Sequence, residues 1–181
     1  AFAWDVYLFG APSDSGTVNI SGLGAENDFS GPDGLFFSQA SKGLMWIQTD
    51  DSAYARTSNC MMLAALPGSY GDGESVRVTS RAVPYGGGDE NLLTRVGKKA
   101  SGANLKRFLV GPRGCEITGI TETPDGRTLF VNIQHPGENT AEGEISDPST
   151  YESHWPAGDG LSRPRSATVV ITKDDGGIIG T

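Results

Sequence analysis

Acidic and histidine side chains stand at the ends of short strand-forming runs in two parts of this chain. Asp33 precedes the run Leu35–Phe37, and Asp50 follows the next run; later, Glu116 precedes one run and His135 follows its successor. In an antiparallel meander, the start of the first strand and the end of the second lie at the same edge of the sheet. The four side chains are therefore expected to converge at one mouth of the structure. Such a donor set suits Ca²⁺, iron, manganese or zinc.

A positive charge is expected at the same mouth. Arg113 lies three residues before Glu116, in the segment GPRGCE, and Glu138 follows closely after His135. A guanidinium matches phosphate oxygens in two-pronged fashion, and Arg together with metal ions can stabilise a phosphoryl-transfer transition state. No Walker loop and no Gly-x-Ser-x-Gly elbow occurs in the sequence, which disfavours P-loop nucleotide hydrolysis and serine hydrolysis.

Each of these residues also has a purely structural interpretation. Asp33 belongs to a Pro-Asp-Gly triplet, which is a common turn former, and Asp50 could cap the end of a strand. His135 could be a packed ring. Glu116 is harder to explain in this way, because it interrupts a strand-like run beside Cys115.

Composition and charge narrow the class of protein. The 181 residues include 26 Gly and 10 Pro, and the apolar residues form short β-branched and aromatic runs, which predicts an all-β fold. A net charge of −8 disfavours nucleic acid and anionic membrane as partners. No apolar run approaches the roughly 20 residues of a membrane span. Cys60 and Cys115 do not form a CxxC motif, so a paired-thiolate zinc site is excluded, while a disulfide and two buried thiols both stay open.

Two units of four strands are predicted, which is the pattern of β-propeller blades; tandem hairpins of a sandwich are the alternative. The predicted strands cover 35–37, 44–48, 61–66 and 105–110 in the first unit, and 117–122, 128–134, 167–172 and 178–179 in the second. A leading strand is predicted over Trp4–Phe9, and a short helix over Glu90–Val96.

These two units indicate that the chain forms part of a β-propeller. Residues 1–30 are interpreted as the end of a preceding blade with a connecting loop, 31–112 as blade one with a long insertion at 67–104, and 113–181 as blade two. Propellers close with about four to eight blades. We therefore expect a C-terminal piece of a longer propeller, whose open sheet edges meet the remaining blades or another copy of the chain.

Five segments carry a resemblance to a known family. They are PDGLFF, GLMWIQTD, RFLVGPRGCEITG, TPDGRTLFVNIQHPGE and RPRSATVVI, and they resemble the C-terminal part of the PhoX family of bacterial alkaline phosphatases. The resemblance implies a six-bladed propeller, periplasmic or secreted location, and hydrolysis of phosphate monoesters at a cluster of Ca²⁺ and Fe³⁺. By the same resemblance, Asp33 and Glu116 are metal ligands and Arg113 contacts the phosphate of the substrate, while the isolated piece is expected to be inactive.

Two other functions stay open at this point. One is a non-catalytic propeller module that holds Ca²⁺ for structure and interaction, and the other is a propeller lactone hydrolase. The Pro-Asp-Gly segment fits both hydrolases, whereas GPRGCE favours the phosphatase.

Overall fold

The computed structural model describes residues 1–51, 57–80 and 88–181. Over these residues the chain is all-β, with antiparallel strands and three short 3-10 turns at Gly16–Val18, Glu142–Glu144 and Pro148–Thr150. The strands are β1 (Pro32–Phe37), β2 (Met45–Thr49), β3 (Met61–Ala65), β4 (Ser75–Ser80), β5 (Glu90–Arg95), β6 (Leu105–Val110), β7 (Glu116–Glu122), β8 (Thr128–Gln134) and β9 (Ala167–Thr172). No helix in these ranges is long and apolar enough to cross a membrane.

The first sheet has the order β1-β2-β3-β6 and confirms the predicted four-stranded blade one. Every residue of β2 is buried, because this strand is covered on both faces. Its side chains alternate between two apolar layers, as the period of two in a strand requires. One face, with Trp46, contributes to a core shared with the second sheet, and the other, with Ile47, contributes to a core shared with the N-terminal segment.

The second sheet has the order β7-β8-β9, with three strands where four were predicted. The expected last strand at 178–179 does not form. Instead, the Ile179 N–H donates to the Gly126 carbonyl oxygen at 2.9 Å, and the Ile179 side chain is buried in the core between the sheets. Burial of one apolar side chain at the turn between β7 and β8 thus replaces a fourth strand.

Two layers of packing hold the sheets in place. Leu129, Val131 and Ile133 alternate on the inner face of β8 and pack into the core that contains Trp46 and Met62 of the first sheet. β7 is the strand of the second sheet that contacts β1, β2 and β3. This face-to-face stacking brings the strand ends of the two sheets side by side, as in neighbouring propeller blades.

The insertion 67–104 contains a hairpin of β4 and β5, so the helix predicted over Glu90–Val96 is wrong. Val78 pairs with Leu92 and Val76 with Thr94, and these β-branched and apolar residues alternate along the ladder. The strand predicted over Trp4–Phe9 is also wrong: an isolated parallel bridge between Val6 and Val96 stands in its place. In both cases pairing with a distant segment overrides the local pattern.

Candidate active-site cleft

A cleft of about 320 Å³ lies where the ends of the two sheets meet. Four chain segments contribute to its walls: the end of β2, the start of β3, the loop before β7 and the loop after β8. The lining residues are Asp50, Asp51, Asn59, Cys60, Arg113, Gly114, Cys115, Glu138, Asn139 and Glu152. The cleft combines one guanidinium with several carboxylates, so it can bind both cations and the oxygens of an anion.

Two glycines let the loop before β7 reach its position. The Gly111 N–H donates to the Cys60 carbonyl oxygen at 2.9 Å, and a side chain at Gly111 would collide with the Cys115 sulfur. Gly114 has a φ of +62°, and a side chain there would collide with the Glu152 carboxylate. The segment GPRGC therefore places Arg113 on a loop that tolerates no side chain at either of these glycines.

Arg113 is held at one edge of its guanidinium only. Its Nε donates to Oε1 of Glu152 at 3.0 Å, while its side chain is 68% exposed against 18% for Glu152. Its terminal nitrogens contact no partner among the described residues. That free edge has the geometry to donate two hydrogen bonds to a phosphate or carboxylate.

Glu116 and His135 are brought into contact by the pairing of β7 with β8. Glu116 pairs with Gln134, so His135 follows directly at the end of β8, and its Nε2 lies 3.2 Å from Glu116 Oε2. The other ring nitrogen, Nδ1, lies 2.9 Å from Glu138 Oε2 but has no hydrogen bond of acceptable geometry. The imidazole ring therefore lies between the carboxylates of Glu116 and Glu138.

The four predicted metal ligands occupy three places. Asp50 lines the cleft with Arg113, Glu116 and His135 contact each other beside it, and Asp33 lines a separate cavity with Tyr7 and Phe29. Among residues 1–51, 57–80 and 88–181, no three His, Cys, Asp or Glu side chains form a group that could hold a metal ion. Metal ligation by these residues, and phosphate contact by Arg113, stay predictions.

Cys60 and Cys115 are free, buried thiols in this structure. The Cys60 sulfur accepts the Asp51 N–H at 3.2 Å. Burial raises the pKa of both thiols, that of Cys115 to about 12. At neutral pH both side chains are uncharged, and they form the apolar base of the cleft.

Sequence reasoning missed Glu152 and Asn139 as residues of the cleft. Both lie in the long polar loop between β8 and β9, which has no periodic pattern. Glu152 is 39 positions from Arg113, and no spacing signal links the two.

Comparison with known proteins identifies the family. The family model of alkaline phosphatase PhoX matches residues 1–137, about three quarters of the chain. The chain therefore belongs to the PhoX family. No curated protein matches it.

One solved structure that is similar to this chain is Pseudomonas fluorescens PhoX in complex with vanadate, a transition state analogue. The two share 34% sequence identity with a TM-score of 0.60, over 93% of this chain and 22% of that one. This chain thus spans about a fifth of the length of that protein. The match confirms the resemblance to the PhoX family and agrees with the all-β fold predicted from composition and strand pattern.

Proposed function

We propose that this chain forms part of the active site of a phosphatase that hydrolyses phosphate monoesters. The observation that carries the proposal is Arg113, which lines a cleft in a chain of the PhoX family and whose terminal nitrogens have no partner within residues 1–51, 57–80 and 88–181. A similar structure holds vanadate, an analogue of the phosphoryl-transfer transition state. The whole activity is a proposal because this chain spans 22% of that protein.

Arg113 has the electrostatic role in this proposal. Its two terminal nitrogens bind oxygens of the phosphoryl group, while Nε stays on Glu152. As the ester bond breaks, negative charge increases on the oxygens, and the fixed guanidinium stabilises that charge more than it stabilises the bound substrate. The neutral thiols below the cleft add no competing negative charge.

The donor set also fits the metal ions that the family resemblance implies. Carboxylate oxygens suit Ca²⁺ and Fe³⁺ and an imidazole suits iron, so Glu116 and His135, which contact each other at 3.2 Å, would be ligands that this chain supplies. Asp50 would add a carboxylate from the cleft wall, and Asp33 would bind separately, in its own cavity. When bound, such ions polarise phosphoryl oxygens and lower the pKa of a bound water. Ligands from elsewhere in the protein would complete their coordination.

The test is the substitution Arg113→Ala in the full-length protein, assayed with p-nitrophenyl phosphate as the substrate. Loss of the guanidinium should lower kcat/KM by about 100-fold or more, the usual effect of removing a donor to developing charge. Arg127→Ala is the matched control, because Arg127 lies in the turn at the other end of β7 and β8 and is exposed. An unchanged kcat/KM in Arg113→Ala would show that this cleft takes no part in the hydrolysis.

Metal content provides a second, independent test. Elemental analysis of the same protein should find both calcium and iron, and Glu116→Gln should lower the metal content together with the rate, because an amide is a weaker ligand than a carboxylate. Calcium alone with no esterase activity would instead support the non-catalytic propeller module. Hydrolysis of lactones in preference to phosphate esters would support the lactone hydrolase.

A further inference from the structure

Glu152 lies outside the residues that the family model matches, yet it contacts the arginine on which the proposed function depends. We infer that Glu152 is a positioning residue that orients the Arg113 guanidinium for the phosphate group of the substrate. The inference rests on the proposed function and deepens it.

The Glu152 carboxylate is bound at both oxygens. Oε1 accepts from Arg113 Nε at 3.0 Å, and Oε2 accepts the Asn139 N–H at 3.2 Å. The carboxylate is therefore held by the backbone of its own loop on one side while it holds the guanidinium on the other. A carboxylate fixed in this way defines the plane and direction of its partner better than a mobile surface residue does.

The backbone around this contact forms a closed ring of hydrogen bonds. The Glu152 N–H donates to Thr140 Oγ1 at 3.1 Å, and Thr140 Oγ1 donates to the Gly137 carbonyl oxygen at 2.8 Å. The Gly137 N–H in turn donates to the Arg113 carbonyl oxygen at 2.9 Å. The Glu138 N–H also donates to the Gly114 carbonyl oxygen at 3.2 Å, so backbone and side-chain hydrogen bonds together join the loop after β8 to the loop before β7.

Gly114 makes this approach possible. A side chain at this position would collide with Glu152 Oε2 and would also crowd the backbone nitrogens of Gly137 and Glu138. The second glycine of GPRGC therefore leaves room for the carboxylate beside the arginine that precedes it.

The reason for such a contact is the freedom of an exposed arginine. Without a partner, a side chain that is 68% exposed would sample many rotamers, and substrate binding would have to order it. Glu152 binds Nε and leaves the edge with both terminal nitrogens for the ligand. The guanidinium is thus oriented before the substrate binds.

The test compares phosphate binding in single and double variants of the full protein. Glu152→Ala should raise KM for p-nitrophenyl phosphate, and the inhibition constant of inorganic phosphate, by up to about tenfold, because binding must then order the Arg113 side chain. Glu152→Gln should recover part of the loss, since it keeps an oxygen acceptor for Arg113 Nε. Asp125→Ala, which removes the partner of Arg127 at the far end of the sheet, is the control and should leave both constants unchanged.

A double variant separates positioning from a general structural role. In an Arg113→Ala background, Glu152→Ala should change the inhibition constant of phosphate less than twofold, since the group it orients is gone. If Glu152→Ala raises the inhibition constant of phosphate tenfold both with and without Arg113, the inference is overturned. An unchanged inhibition constant in the single variant Glu152→Ala overturns it as well. If Glu152→Ala does not fold, Glu152→Met takes its place, since it keeps the length of the side chain without the oxygen acceptor for Arg113 Nε; unchanged phosphate inhibition in that variant overturns the inference equally. Failure of the proposed function is distinguishable, because it appears as normal activity in Arg113→Ala.

Discussion

Cys60 and Cys115 show how burial sets the chemistry of individual residues next to the cleft. Both thiols lie in the core between the sheets and beneath charged groups, and neither is paired in a disulfide. The sequence left a disulfide and two buried thiols as alternatives. Since both thiols are removed from water, the neutral form is favoured in the folded protein.

This burial predicts a loss of stability at high pH. The pKa of Cys115 is raised from about 9 to about 12, chiefly by burial and then by the neighbouring Cys60. The folded state therefore holds this proton more tightly than the unfolded state, so the stabilisation is complete below pH 9 and is lost as the pH rises toward 12. Urea unfolding at pH 8, 9, 10 and 11 measures the free energy of unfolding. This free energy should decline more steeply with pH for the wild type than for Cys115→Ser, because serine does not titrate in this pH range.

Other tyrosines and lysines titrate in both proteins, so their contributions cancel in that comparison. Parallel pH dependences for the wild type and Cys115→Ser would show that the thiol ionises as freely when folded as when unfolded.

The β4–β5 hairpin is an element that contributes little to the sheets. β4 and β5 pair with each other, and neither makes substantial contact with another strand of the described chain. Its base is anchored to the N-terminal segment: the Val6 N–H donates to the Arg95 carbonyl oxygen, and the Gly97 N–H donates to the Val6 carbonyl oxygen. The strand pairing of the first sheet therefore does not depend on this hairpin.

Shortening this hairpin should leave fold and activity intact. Replacing the residues between Ser75 and Arg95 by an Asn-Gly turn keeps the anchored base and suits a two-residue hairpin connection. The free energy of unfolding should change by less than about 1 kcal/mol, because loop length has a weak effect on stability. Thermal unfolding and p-nitrophenyl phosphate hydrolysis of the full protein measure both; a large loss of either would show that the hairpin contacts another part of the protein.

The molecule as a whole depends on the layer between its two sheets. Leu129, Val131 and Ile133 from β8 fill this layer against Trp46 and Met62, and the same packing aligns the loops that form the cleft. The outer faces of the two sheets, unlike the layer between them, expose apolar side chains: Leu35 and Phe37 of β1 and Val170 of β9. Coverage of these faces by further blades or by another copy of the chain stays a prediction.

Leu129→Ala should destabilise the protein by about 2–5 kcal/mol, because Leu129 is fully buried and its removal leaves a cavity between the sheets. Val170→Ala is the matched control: Val170 is 59% exposed on the opposite face of the second sheet, so its truncation should cost less than about 0.5 kcal/mol. Denaturant unfolding of both variants measures the difference. Equal effects would show that the outer face is as well packed as the inner one.

Much of the fold could be predicted from local pattern. β2 and β3 contain short apolar runs, burial alternates with a period of two in β6, and the Pro-Asp-Gly turn before Thr128 separates β7 from β8. The predictions from sequence were wrong where pairing with another segment of the chain determines the secondary structure. A short helix was predicted over Glu90–Val96, but Glu90–Arg95 pairs with Ser75–Ser80 as a strand.

The sequence by itself determined the class of fold, the family and the segment GPRGCE, because turn residues, strand periodicity and extended motifs are properties of contiguous residues. Tertiary structure alone decided that Glu152 contacts Arg113, that Asp33 and Asp50 line different cavities, and that Ile179 is buried instead of forming a strand. The physical reason is that these contacts join residues far apart in the chain through irregular loops. Their geometry follows from how the two sheets pack, and no local spacing records it.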